Sequence, residues 1–113
     1  MQLLFSHANG YPPDSYRVLL TSLSNNLGVP ASTHAHRPLI SDEPPPTFLT
    51  WQTYASDLIE RIEGDKRGPV WLVGHSMGAA SAVLAAARRP ELFAGIVALD
   101  PVLVPTRIWF WAR

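Results

Sequence analysis

Gly74-His75-Ser76-Met77-Gly78 sets one hydroxyl between two glycines, with the apolar run Val70-Trp71-Leu72-Val73 before it and an Ala-rich stretch to Arg89 after it. A serine in Gly-X-Ser-X-Gly between a strand and a helix occupies a tight, strained turn that lifts its Oγ above a sheet, where it can attack a carbonyl. A side chain at Gly74 or Gly78 would crowd the backbone at that turn, so small residues there are a steric requirement. A helix starting at Ser76 also aims its positive end and free N–H groups at charge developing above the serine, which makes the Met77 N–H a candidate oxyanion donor. The competing reading is a Gly/Ser turn in which Ser76 only caps the helix; the flanking strand and helix weigh against it.

Those groups need a sheet to stand on, and the chain carries the pattern of one. Leu3-Leu4-Phe5 reads as a strand that halts at the turn formers Ser6 to Pro13. From Asp14, available as N-cap, the residues Tyr16, Leu19, Leu20, Leu23 and Leu27 recur at helical spacing up to Gly28. Val29 to His36 is a weaker strand candidate, and Arg37 to Thr50, with Pro38 and Pro44-Pro45-Pro46, is a long loop that cannot enter a central sheet. Trp51, Ala55, Leu58, Ile59 and Ile62 predict a second helix, capped by Thr50 and closed by Gly64.

Val70 to Val73 has the continuous apolar pattern of a strand covered on both faces. Ser76 to Arg89 predicts a helix stopped by Pro90, with Arg88 and Arg89 at its negative end, and Gly95 to Leu99 predicts another buried strand ending at Asp100-Pro101. This alternation predicts an α/β fold, a parallel sheet flanked by helices on both faces, in a single domain over residues 1–113. A second oxyanion donor is expected from the loop after another strand of the sheet, and His7-Ala8-Asn9-Gly10 stands there.

Composition narrows the partner. Nine Lys+Arg balance nine Asp+Glu, so nothing in the charge calls for nucleic acid, and a small neutral molecule is the expected partner. The absence of cysteine removes disulfides, thiolate metal sites and cysteine nucleophiles together. Met1 to Phe5 lacks the pattern of a signal peptide, and the cytoplasm is the expected compartment. Gly68 to Ala87 is uncharged and long enough to suggest a membrane span, but Gly74, His75, Ser76 and Gly78 in its middle favour a strand followed by a helix.

The pairing of His7-Ala8-Asn9-Gly10-Tyr11-Pro12-Pro13 with Gly-His-Ser-Met-Gly, and of Arg89-Pro90-Glu91-Leu92-Phe93 with Leu99-Asp100-Pro101-Val102-Leu103, resembles the α/β-hydrolase fold family. The resemblance covers essentially the whole chain and implies strands three to six of the family's order, with residues from about 102 to 113 starting a cap segment. It implies a serine hydrolase acting on an ester-type acyl bond through an acyl-enzyme on Ser76. It also implies that the N–H of Asn9 or its neighbour Ala8 completes the oxyanion hole, that His7 supports that turn, and that no metal or organic cofactor takes part. Members of the family normally supply the acid and the base histidine after later strands, so this chain is expected to be a fragment, inactive or weak by itself.

Residues present here fill that gap poorly. Asp100, at the carboxyl end of a strand, is where a minority of the family takes its acid; a turn-ending Asp-Pro carboxylate is the favoured alternative. His75 is read as packing beside the pocket and pointing away from the hydroxyl, His7 as a turn residue bonded to local backbone. His34 and His36 stand on the side of the sheet away from where a base arrives. A different class of function, a non-catalytic product acting by association, is suggested by the aromatic end Trp109-Phe110-Trp111. Exposed apolar sheet edges are expected to drive self-association in either case.

Overall fold

The structure, a computed structural model, describes residues 1–36 and 51–102. The proline-rich loop from Arg37, its closing Thr50 and the aromatic segment Trp109-Phe110-Trp111 lie outside the described residues. The elements follow in the order β1 (Leu3–Ser6), α1 (Arg17–Leu27), β2 (Ala31–His34), α2 (Trp51–Asp65), β3 (Val70–His75), α3 (Met77–Arg88) and β4 (Phe93–Leu99). The four strands are parallel and ordered β2-β1-β3-β4, with Ser6 opposite Gly74 and His75 opposite Leu99. This is the expected α/β class.

The chain leaves β1 through α1 towards β2 on one side and leaves β3 through α3 towards β4 on the other. Strand crossovers keep one hand, so helices that run in opposite directions across a sheet fall on opposite faces. The two apolar clusters show this. Leu4, Val70 and Leu72 pack with Ala55, Leu58, Ile59 and Ile62 of α2 and Ala82 and Ala85 of α3. Leu3, Phe5 and Val73 point the other way and meet Leu20 and Leu23 of α1. Alternate strand residues thus serve opposite faces, as the pleat requires. Between β1 and β3 the winding reverses, and their loops diverge at the carboxyl edge, the place where open α/β sheets build sites.

Four expectations change. Asp14 does not cap the first helix; Pro12 and Pro13 start a 3-10 turn over Pro13–Tyr16, and Tyr16 becomes the residue before α1. Gly64 does not close the second helix, which runs to Asp65 and ends as Lys66 takes a left-handed backbone. The last strand begins earlier, at Phe93, and is half-exposed rather than buried, because α1 reaches only as far as β1 and part of β3. The edges also differ from two apolar ones: β2 is Ala31-Ser32-Thr33-His34, and Arg61 of α2 donates to its Thr33 carbonyl at 2.7 Å. Bare apolar surface collects instead on the β4 side, where Trp71, Val97 and Leu99 are exposed. No helix among the described residues is long and apolar enough to cross a membrane.

Candidate active site

Strand β3 delivers Ser76 to the turn between Gly74 and Gly78, and the steric demand on both glycines is severe. A β-carbon on Gly74 would stand 2.6 Å from the Ala79 Cα, and one on Gly78 would stand 2.1 Å from the Ser6 carbonyl oxygen. The first glycine lets α3 turn back over the strand end, and the second lets the end of β1 pass against the start of α3. Ser76 itself has φ 52° and ψ −113°, a conformation that costs a non-glycine residue about 1–3 kcal/mol. The surroundings fix it there: its N–H donates to the Leu99 carbonyl at 3.0 Å, and its carbonyl accepts the Ala80 N–H at 3.0 Å.

The Ser76 hydroxyl makes no capping hydrogen bond to α3 and has no partner among the described residues. The N–H groups of Met77 and the residues just after it belong to the first turn of α3, where the helix provides no acceptor.

The neighbouring loop is held by the side chains of His7 and Tyr16. His7 is buried, accepts the His36 N–H at its Nε2 over 2.9 Å, and donates from Nδ1 to the Ala8 carbonyl over 2.7 Å. Accepting at Nε2 fixes the Nδ1–H tautomer, and both ring nitrogens are then occupied. The Ala8 N–H donates to the Tyr16 hydroxyl at 3.1 Å, and that hydroxyl lies 2.8 Å from His75 Nδ1. Of the two residues expected to offer the second oxyanion donor, Ala8 has its N–H engaged, whereas the Asn9 N–H has no partner among the described residues and Asn9 is exposed.

None of the four histidines hydrogen-bonds Ser76 among the described residues. His75 turns to Tyr16, as a residue packing beside the turn. His36 is fully buried, with Nε2 2.8 Å from Ser6 Oγ and its ring against Tyr54, His7 and His34. Burial, then the neighbouring His34 and His7, holds His36 down at about 3, and burial followed by Arg61 holds His34 at about 4. Both rings are neutral near pH 7. Their His34 Nε2 and His36 Nδ1 atoms have no hydrogen-bond partner among the described residues.

Asp100 is exposed, with φ 46°, one residue beyond the Leu99 carbonyl that holds Ser76. It has no hydrogen-bond partner among the described residues. Among the same residues no cluster of His, Asp and Glu is arranged to hold a metal. Sequence reasoning missed Tyr16, read only as a helix core position, and the Ser6–His36 pair. Their partners lie 59 and 30 residues away, and no local pattern announces such distant bonds.

Residues 2–113 match the Alpha/beta hydrolase family. The chain belongs to that family. Among curated relatives, the rat (Rattus norvegicus) monoglyceride lipase is 36% identical over 58 residues, 48% of this chain and 19% of the relative. The 2-(acetamidomethylene)succinate hydrolase of Mesorhizobium japonicum is 43% identical over 61 residues, 54% of this chain and 22% of the relative. A monoglyceride lipase homolog of Monkeypox virus is 27% identical over 114 residues, 89% of this chain and 38% of the relative. The chain therefore spans well under half the length of these curated relatives.

Solved structures agree on the fold. A protein of the alpha/beta superfamily from Xanthomonas campestris pv. campestris superposes with TM-score 0.71 at 19% identity, over 93% of this chain and 61% of that one. An extracellular alpha/beta-hydrolase from a Paenibacillus species gives TM-score 0.67 at 14% identity, over 98% and 49%.

Proposed function

We propose that this α/β-hydrolase acts on an ester-type bond, a carboxylic ester, thioester or related acyl linkage, through an acyl-enzyme on Ser76. The backbone of Ser76 carries the reading. A serine that only capped its helix would adopt an extended conformation and accept an N–H from the first turn. Ser76 instead has φ 52° and leaves its hydroxyl out of the cap. Strain of this kind at a polar residue above a sheet's carboxyl edge is the arrangement a nucleophile needs.

In the proposed reaction Ser76 Oγ bonds to the carbonyl carbon as its proton passes to a base. The carbonyl electron pair moves onto oxygen, which the Met77 and Asn9 N–H groups receive. Collapse of that intermediate breaks the bond to the alcohol or thiol, which leaves with the proton from the base; water then repeats the sequence and frees the acid.

None of the described histidines hydrogen-bonds Ser76, and Asp100 is a candidate for the acid alone, so the described residues leave Ser76 without a base. Loss of one triad member costs roughly four to six orders of magnitude in rate. The 113 residues by themselves should therefore acylate and turn over slowly. The relatives named monoglyceride lipases and the succinate hydrolase support hydrolysis, and their differing substrates leave the acyl bond as the shared chemistry.

Incubation with p-nitrophenyl butyrate followed by peptide mass mapping tests this. The expected result is a butyryl adduct on Ser76 that disappears in Ser76→Ala. Hydrolysis and acylation unchanged in Ser76→Ala would overturn it. A second reading, association without catalysis, is favoured by the bare apolar face of Trp71, Val97 and Leu99; it requires that no acyl adduct form.

A further inference from the structure

The loop after β1 is not held in place by its own backbone alone. Tyr16, at the end of the 3-10 turn that precedes α1, is half-buried with its ring centroid 4.4 Å from Phe5 and 5.7 Å from His75. At its hydroxyl oxygen three segments meet. Ala8 of the loop donates its N–H to it at 3.1 Å, and His75 of the serine turn stands 2.8 Å away. A tyrosine hydroxyl has one proton, and the oxygen already accepts from Ala8. That proton can go to His75 Nδ1, or the same oxygen can accept a second bond from an Nδ1–H, so the direction of the Tyr16–His75 bond follows the His75 tautomer.

The consequence falls on Asn9. The Ala8 carbonyl and the Asn9 N–H share one peptide plane, which is trans and so points them in opposite directions. The Ala8 carbonyl is held by His7 Nδ1 at 2.7 Å and by the Tyr11 N–H at 3.2 Å. With the Ala8 N–H anchored on Tyr16, the planes on both sides of the Ala8 Cα are fixed, and with them the direction of the free Asn9 N–H. The other end of the same hydroxyl bond is His75, the residue before Ser76.

We infer that Tyr16 is a positioning residue: its hydroxyl sets the Asn9 N–H against the carbonyl oxygen that Ser76 attacks, by tying the donor loop to the serine turn through His75. The inference rests on the reading of Ser76 as nucleophile. Phenylalanine at position 16 keeps the ring on Phe5 and removes the oxygen. The Ala8 N–H is then left without an acceptor, and the plane before the Ala8 Cα, on which the donor plane is hinged, loses its anchor. Loss of a whole oxyanion donor costs about 10²–10³ in rate, so displacement of one should slow acylation by roughly tenfold to a hundredfold.

The test uses the 113-residue chain labelled with ¹⁵N, as wild type, Tyr16→Phe and Ser76→Ala. Two quantities are read: the amide signals of Ala8 and Asn9 with the ring-nitrogen signals of His75, and the rate of Ser76 acylation by p-nitrophenyl butyrate. Tyr16→Phe should shift all three sets of signals while circular dichroism stays native, and should slow acylation by at least about tenfold. Unchanged Asn9 and His75 signals would overturn the inference, as would shifted signals with an unchanged acylation rate. If wild type and Ser76→Ala react alike, the nucleophile reading fails separately, and the Asn9 and His75 signals still decide whether Tyr16 fixes the loop. Should Tyr16→Phe not fold, His75→Phe removes the far end of the same bridge and is expected to shift the Ala8 and Asn9 signals; their constancy would overturn the inference.

Discussion

Gly78 and Ser6 approach so closely that a β-carbon on the glycine would lie 2.1 Å from the Ser6 carbonyl oxygen and 2.5 Å from its carbonyl carbon. Backbone meets backbone there, and neither segment can swing aside as a side chain could. The contact fastens the end of β1, and so the His7-to-Gly10 loop, to the first turn of α3. A missing side chain thus sets the backbone of Ser6 and His7 against the start of α3.

Gly78→Ala should consequently lower stability by about 3 kcal/mol or more, at the upper end of overpacking costs, because the strain falls on main chain. Gly64→Ala is the control: nothing lies within 4 Å of its added carbon, and the residue is in α2. Replacing a helical glycine there should stabilise by roughly 0.5–1 kcal/mol. Urea unfolding of both variants measures the difference, and equal midpoints would contradict the account of the turn.

Acid should unfold the protein earlier than its exposed groups require. His34 and His36 are held at about 4 and about 3, chiefly by burial, against 6.5 in the unfolded chain. Arg61 adds to the effect at His34, and His34 and His7 add to it at His36; Asp57 opposes both, and Asp65 opposes it at His34. Below pH 6.5 the unfolded chain binds protons that the folded chain refuses. The neutral rings therefore cost nothing above that pH, and stability is lost progressively as pH falls from 6.5 to about 3. At ~1.4 kcal/mol for each pH unit of depression, the pair accounts for several kcal/mol. Urea midpoints should be flat from neutral upwards and fall on acidification, with a shallower fall in His34→Gln. A midpoint that rises between pH 6.5 and 4 would contradict this.

The apolar groove of about 350 Å³ lined by Leu3, Leu19, Leu23, Trp71, Val97 and Leu99, among others, is open on the face that α1 leaves bare. Self-association of the 113-residue chain is expected through this face rather than through β2, whose edge carries polar residues. Light scattering should report a mass that rises with concentration, and Val97→Lys should reduce it. A wild-type monomer at all concentrations would contradict the expectation.

Much of this was legible in the sequence wherever local pattern and tertiary demand agree. Val70 to Val73 had to be a strand, although its Trp71 is exposed rather than covered, and Met77 to Arg88 had to be a helix, since alanine favours one there and Pro90 forbids its continuation. Where a neighbour decides the outcome, the sequence misled. Asp14 has the chemistry of a cap, but the fixed φ of Pro12 and Pro13 starts a 3-10 turn before it. Gly95 to Leu99 has the composition of a buried strand, but burial depends on what covers it, and α1 does not reach that far. Tyr16 fits the helical stripe, and nothing in its own stretch of chain indicates that its oxygen bridges Ala8 and His75.

The central claim is that Ser76 is the nucleophile, and covalent labelling with a fluorophosphonate tests it most directly. Intact mass and peptide mapping of the treated chain should show one adduct, on Ser76, accumulating slowly in the folded protein and absent from Ser76→Ala. Adducts spread over other serines, or a folded chain whose Ser76 stays unmodified on prolonged exposure, would contradict the account.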